Sequence, residues 1–164
     1  MAKVELKAPI IEEISEIIKD AASVVVVDYR GLTVEEDTIL RKNLRESGVT
    51  YKVFKNTYIK RAIAGTEFEP LAQVLDGPSA IAVSKDDATA PARVLAENIK
   101  KMANLEFKGG VVEGAYYDSK MIEVVAAIPS RETLLGRLLG SIQSPIANFA
   151  RVLNQIAEKN GEAA

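Results

Sequence analysis

The segment SVVVVDY at residues 23–29 is the clearest structural signal in this 164-residue chain. Four consecutive valines, with no charged residue before Asp28, are typical of a strand that is buried in the middle of a sheet. β-Branched side chains favour an extended backbone, because they pack well on a pleated surface. We therefore place the centre of the core at this strand and assign the flanking segments outward from it.

Helix signals flank this strand on both sides. Before it, isoleucines recur with helical spacing behind Pro9, a residue that suits the first turn of a helix. After it, Thr33-Val-Glu-Glu36 is a capping-box pattern that opens a helix ending near Gly48, and Asn56 is expected to cap the next helix. Helices are predicted over residues 9–20, 33–47, 57–64, 91–104 and 119–128, with one or two helical turns from residue 69.

Three further segments have the features of strands. They span residues 49–54, 79–84 and 105–114, and Gly109-Gly110 in the last of them indicates a bulge or bend. Strands that alternate with helices over about 125 residues predict an α/β domain, here a small sheet with flanking helices over residues 1–128. The sequence leaves the order of the strands open.

The part of the chain after residue 128 contains helix signals but no strand signal. We predict a helical connector over 129–144, a break at Ser144-Pro145 and a C-terminal helix over 145–164. Gly136 and Gly140 weaken the connector, since each interior Gly costs about 1 kcal/mol relative to Ala. The predicted fold is therefore α/β, followed by a C-terminal helical spine.

The residue types that are missing exclude several classes of function. The chain has no His and no Cys, so it has no imidazole base, no thiolate nucleophile, no zinc–thiolate site and no disulfide. No stretch reaches the roughly 18 apolar residues of a membrane span, and residues 1–9 lack the apolar core of a signal peptide. We predict a cytoplasmic, non-enzymatic protein with no catalytic residues, no cofactor, no metal and no membrane contact.

Basic residues are concentrated in one window, although the whole chain has a net charge of −2. Residues 41–61 contain seven of the 21 basic residues and a single acid, a net charge of +6. The densest part, Lys55-Asn-Thr-Tyr-Ile-Lys-Arg61, begins a predicted helix, where free backbone N–H groups also attract phosphate. The pattern favours contact with nucleic-acid phosphates. The alternative is an ordinary solvated surface.

The predicted C-terminal helix carries a wide apolar stripe. Its apolar residues are Ile146, Phe149, Ala150, Val152, Leu153, Ile156 and Ala157. A stripe of this width is unfavourable in water, so either the helix packs back on its own domain or it binds a partner.

Asp28 ends the central strand, a position where α/β proteins often place functional groups. Catalytic use would need a second acid and a lysine nearby, whereas the acids at 35–37 belong to the next helix. We therefore expect the side chain of Asp28 to make a capping hydrogen bond or to pair with Arg30. The alternative function is a small α/β enzyme or regulatory domain that uses Asp28 and dimerises through the C-terminal helix.

Several motifs, in order along the chain, resemble those of the bacterial ribosomal protein L10 family. Ser-Pro-Ile at 144–146 and the total length agree with them, so the resemblance covers essentially the whole chain. The motifs are Asp-Tyr-Arg-Gly-Leu-Thr (28–33), Val-Phe-Lys-Asn-Thr-Tyr-Ile-Lys-Arg-Ala (53–62), Gly-Pro-Ser-Ala-Ile-Ala (77–82) and Pro-Ser-Arg-Glu-Thr-Leu-Leu (129–135).

The resemblance implies a structural component of the large ribosomal subunit that forms the base of the ribosomal stalk. The N-terminal domain would dock on large-subunit ribosomal RNA beside ribosomal protein L11. The C-terminal helix would hold dimers of the stalk protein L7/L12, which recruit the translational GTPases. The protein would thus be ribosome-bound. Fifteen helical residues span roughly 22 Å, which we expect to suffice for two dimers rather than three.

The resemblance also assigns residues to these two roles. The RNA contacts would be Arg30, Lys55, Asn56, Thr57, Lys60 and Arg61, with Lys52 added on charge and proximity. The stalk-protein contacts would be Ile146, Phe149, Val152, Leu153 and Ile156.

Overall fold

The computed structural model describes residues 8–102 and 104–161. The predictions made for the first seven residues, and for the last three residues of the 145–164 helix, lie outside the described residues. The chain divides into two compact units, Met1–Pro129 and Ser130–Ala164.

The first unit combines a five-stranded sheet with five α-helices and one 3₁₀ turn, within its described residues. Its strands are β1 (Ser23–Asp28), β2 (Thr50–Val53), β3 (Ala80–Ser84), β4 (Glu106–Val112) and β5 (Ala115–Asp118). Its helices are α1 (Ala8–Lys19), α2 (Val34–Glu46), α3 (Asn56–Ile63), α4 (Ala90–Ile99) and α5 (Ser119–Ala126), and the 3₁₀ turn spans Glu69–Gln73. The predicted fold class is confirmed.

The valine-rich strand β1 is the middle strand of the sheet. The strand order is β2-β3-β1-β4-β5, and every neighbouring pair is antiparallel. Val25 lies opposite Ala82 of β3 on one side and Gly110 of β4 on the other. All six residues of β1 are buried, which confirms the prediction of a buried central strand.

Both faces of the sheet are covered, and this explains the uninterrupted run of valines. Val25 and Val27 pack in a core with residues of α2, α4 and α5, whereas Val24 and Val26 pack in a second core with residues of α1 and α3. Since successive side chains of a strand point to opposite faces, a strand covered on both sides needs apolar residues at every position.

The sequence-based assignment missed β5 and placed the end of α4 too late. β5 is a four-residue edge strand with mostly exposed side chains, so it lacks the apolar pattern of a buried strand. A tight turn with positive φ at Glu113 and Gly114 joins it to β4. The predicted bulge in β4 is confirmed, since Val26 and Val27 of β1 lie opposite Gly109 and Phe107 and leave Lys108 between them.

Within its described residues, the second unit contains one helix, α6 (Arg131–Gly161), with Pro145 inside it. The predicted break at Ser144-Pro145 is therefore wrong. A proline removes one backbone hydrogen bond, but the side-chain amide of Asn148 donates to Ser144 Oγ at 3.2 Å across this turn. The division into a connector (129–144) and a binding helix (145–164) stays a prediction.

Every residue of α6 from 131 to 158 is exposed. Within the described ranges, no helix is both long enough and apolar enough to cross a membrane.

Candidate nucleic-acid interface

Four chain segments meet at one end of the sheet. β1 ends there at Asp28 and β2 at Val53, while β3 begins there at Ala80 and β4 at Glu106. The register aligns them, because Val53 and Val27 both pair with Ala80, and Asp28 pairs with Glu106. This end therefore brings together Arg30, the start of α3 and the loop 75–79. We call these three parts together the sheet-end surface.

Arg30 is held in place by Asp28. Its backbone N–H donates to Asp28 Oδ1 at 3.0 Å, and its Nε donates to Oδ2 at 3.0 Å. Burial raises the pKa of the Asp28 carboxyl, but the hydrogen bonds from Arg30 and the charge of Lys108 lower it by more, so the pKa lies below its ordinary value of 3.8. The predicted pairing of Asp28 with Arg30 is confirmed.

Asn56 does not cap α3 with its side chain, contrary to the prediction. The N-cap residue is Lys55, which makes no side-chain capping hydrogen bond. The amide nitrogen of Asn56 instead donates to two backbone carbonyls of the loop 75–79, those of Leu75 at 3.2 Å and Gly77 at 2.6 Å. Asn56 thus fastens this loop to the first turn of α3.

The cations of α3 are on its exposed side, because Ile59, Ala62 and Ile63 are buried, as predicted. Lys55, Thr57, Lys60 and Arg61 are all exposed. Lys60 Nζ lies 3.8 Å from the carboxylate of Asp76, which is itself 91% exposed. Among the described residues, no acid lies within 4.0 Å of Lys55 or Arg61, so both charges are available to an anionic ligand.

Lys52 differs from the other predicted RNA contacts. It is part of β2, and its Nζ forms an ion pair with Glu13 of α1. The same Nζ lies 5.9 Å from the ring centroid of Phe54. Glu13 compensates the charge of Lys52, so this lysine offers less to a phosphate than Lys55 or Arg61 does.

Sequence reasoning missed Lys108. Its side chain is only 14% exposed, and Nζ lies 3.4 Å from Asp28 Oδ2. Nζ also donates to the backbone carbonyls of Asp76 at 2.6 Å and Pro78 at 2.5 Å, and to Ser79 Oγ at 3.2 Å. A lysine beside a glycine pair in a predicted strand was the available signal, but nothing in the sequence showed which groups it would contact.

The second unit offers a different kind of surface. The five predicted stalk-protein contacts are all exposed, from Val152, Leu153 and Ile156 at about half to Phe149 at 67% and Ile146 at 75%. Exposed apolar residues begin earlier than predicted, because Leu135, Leu138 and Ile142 continue the three- and four-residue spacing toward the start of α6. The sequence analysis missed them because it assigned this stretch to a connector.

Comparison with known families covers both units. The profile of the family described as Ribosomal protein L10 matches residues 2–100, and that of the Ribosomal protein uL10 C-terminal region matches residues 128–164. The chain belongs to the ribosomal protein L10 family. Proteins of this family are structural components of the ribosome and not enzymes, so the alternative of a small α/β enzyme that uses Asp28 is wrong.

Individual relatives of the L10 family agree over nearly the full length. The chain is 46% identical to the large ribosomal subunit protein uL10 of Alkaliphilus metalliredigens, over 99% of this chain and 98% of the relative. It is also 46% identical to the proteins of the same name from Clostridioides difficile, over 95% and 94%, and from Clostridium tetani, over 94% and 90%. RNA binding is typical of this family, which directs attention to the cations of the sheet-end surface.

Proposed function

We propose that this ribosomal protein forms the base of the stalk on the large ribosomal subunit. Its first unit anchors to large-subunit ribosomal RNA beside ribosomal protein L11, and α6 carries dimers of L7/L12 that recruit translational GTPases. The observation that supports this most directly is the contrast between a cationic sheet-end surface on one unit and an exposed apolar helix face on the other.

The sheet-end surface suits RNA because its charges are local. Arg30, Lys55, Lys60 and Arg61 are exposed on a chain whose net charge is −2, so this cluster of cations can attract a polyanion although the net charge of the chain does not. Lysine and arginine contacts to phosphate release counterions, and the affinity of such contacts falls steeply with salt.

This part of the proposal is tested by replacing Lys55, Lys60 and Arg61 with alanine in the full chain. We expect binding to deproteinised large-subunit ribosomal RNA to weaken strongly, and the slope of log K against log [salt] to fall by about 0.7–0.9 per lost phosphate contact. The matched control replaces Lys100, Lys101 and Lys120, which are exposed elsewhere on the first unit. Equal binding by both triple variants would show that the sheet-end surface is not the RNA site.

The apolar face of α6 suits a protein partner. The 31 residues of this helix span roughly 46 Å, and burying a few hundred Å² of the face at about 25 cal/mol per Å² contributes several kcal/mol before association costs. The expected count of two L7/L12 dimers refers to the segment 145–164 alone, where fifteen helical residues span roughly 22 Å.

Co-expression with L7/L12, followed by mass measurement of the intact complex, reports the partner and the count together. A mass that equals one copy of this chain plus two dimers supports the proposal. The contrary result is a chain that captures no L7/L12 and sediments alone as a homodimer, which would assign the helix face to self-association.

The neighbouring position of L11 is tested by chemical cross-linking between the two proteins on assembled subunits.

A further inference from the structure

The loop 75–79 has an unusual arrangement of backbone carbonyls. Each of the four consecutive carbonyl oxygens of residues 75–78 accepts a hydrogen bond from the side chain of Asn56 or Lys108, and that of Gly77 also accepts from Ser79 Oγ at 3.4 Å. Asn56 binds the first and third from the side of α3, and Lys108 binds the second and fourth from the side of β4. The loop is thus clamped between two elements that are distant in sequence.

The bulge in β4 is what makes Lys108 available for this clamp. The register shift opposite Val26 and Val27 leaves Lys108 without a partner in the ladder, and bulges commonly redirect a side chain. Its Nζ reaches two carbonyls, Ser79 Oγ and the carboxylate of Asp28. Asp28 in turn binds Arg30, so Lys108 is connected to both the loop and the guanidinium.

This arrangement matters for an anionic ligand. Carbonyl oxygens carry partial negative charge and repel a phosphate that approaches them. At the sheet-end surface, Asn56 and Lys108 instead occupy the oxygens of residues 75–78, close to the exposed cations of α3 and Arg30. Lys108 itself is a poor phosphate contact, because it is largely buried and its Nζ already has partners within the protein.

We propose that Lys108 is a positioning residue of the RNA interface. It keeps the loop 75–79 and, through Asp28, the side chain of Arg30 in the arrangement that binds RNA, without touching the RNA itself. This inference rests on the proposed function, since it assigns a residue to the same sheet-end surface.

The test compares Lys108→Met with Lys55→Met in the full chain, with deproteinised large-subunit ribosomal RNA as the probe. We expect Lys108→Met to weaken RNA binding about tenfold and to leave the salt slope unchanged. The affinity falls because the oxygens of the loop 75–79 that Lys108 binds lose their donor. Lys55→Met should instead lower the slope by about 0.7–0.9. Lys101→Met replaces an exposed lysine that follows α4. It is the control for the loss of one charge and should bind as the parent does.

Amide hydrogen exchange on the free proteins provides a second readout that does not depend on RNA. The amides of Asp76, Gly77, Ser79 and Ala80 should exchange faster in Lys108→Met, while the amides of β1 keep their protection. Should Lys108→Met fail to fold, Ser79→Ala removes one acceptor of the clamp and should show the same two effects at a smaller size.

Several results would overturn the inference. If the salt slope of Lys108→Met falls by about 0.7–0.9, the amount expected for one lost phosphate contact, then Lys108 binds phosphate itself. Unchanged RNA affinity, with only a lower melting temperature, means that its role is limited to stability. Either result leaves the proposed function intact as long as the Lys55, Lys60 and Arg61 variant loses binding. If both Lys108→Met and the triple variant of Lys55, Lys60 and Arg61 bind RNA as the parent does, the inference and the RNA-binding part of the proposed function are both overturned.

Discussion

The two units use the same aliphatic residues in opposite ways. Ile81 in β3 is 1% exposed, whereas Ile146 in α6 is 75% exposed. In the first unit, helices cover both faces of a sheet, so the chain buries its own apolar residues. In α6 the apolar residues follow one side of the helix and are exposed from Leu134 to Ile156. The same kind of apolar pattern thus occurs on faces that are buried within the first unit and on a face of α6 that is exposed.

The largest expected effect comes from truncating one isoleucine in each unit. Ile81→Ala should lower the free energy of unfolding of the first unit by about 3 kcal/mol, because it leaves a cavity in a packed core. Ile146→Ala should change it by less than about 0.5 kcal/mol, as exposed positions usually do. Urea denaturation followed by tyrosine fluorescence measures this directly, since all five tyrosines lie in the first unit. A large loss of stability in Ile146→Ala would contradict the difference between the buried isoleucine of the first unit and the exposed one of α6.

The next effect concerns a polar group that only the first unit buries. Asp28→Asn should lower the free energy of unfolding by about 2 kcal/mol at pH 7, because it leaves Lys108 without its carboxylate partner in a largely buried site. The folded-state pKa of Asp28 is lowered, so the stability that its ionised form contributes is present above pH 3.8 and is lost as the pH falls through the folded pKa.

Denaturation of the parent and of Asp28→Asn at several pH values checks this sign. The difference between the two proteins should be constant near neutral pH and should shrink below pH 3.8. A difference that stays constant at low pH would show that the loss arises from packing and not from the charge of Asp28.

Phe149 tests whether the apolar face of α6 binds L7/L12. Phe149→Ala should weaken the capture of L7/L12 by about tenfold or more, since large aromatic side chains dominate apolar interfaces. The urea midpoint of the first unit should not change. Arg151→Ala, on the polar side of the same helix, is the matched control, and equal loss of binding in both variants would show that the apolar face is not the contact.

How much of this could be predicted from sequence depends on whether the signal is local. The valine run, the capping box at Thr33 and the basic residues of α3 are local patterns, and they gave the central strand, helix α2 and the exposed cations correctly. The partners of Asn56 and Lys108 are in the loop 75–79, about 20 and 30 residues away in sequence, and no local pattern encodes such contacts. Pro145 was misjudged for a related reason, because a proline signals a lost hydrogen bond but not whether the surrounding turns keep the helix intact.

The smallest expected effect compares the helix caps of the two units. Thr33 Oγ1 accepts from the backbone N–H of Glu36 at 3.3 Å at the start of α2, and Ser130 Oγ accepts from that of Thr133 at 3.4 Å at the start of α6. Replacing either residue with alanine should cost its own helix about 1 kcal/mol. Thr33→Ala should therefore lower the urea midpoint that tyrosine fluorescence reports. Ser130→Ala should leave that midpoint unchanged and reduce only the helical signal in circular dichroism, because both buried cores of the first unit are formed by its own residues. A lower fluorescence midpoint in Ser130→Ala would mean that the stability of the first unit depends on α6 after all, and the contrast between the two units would no longer hold.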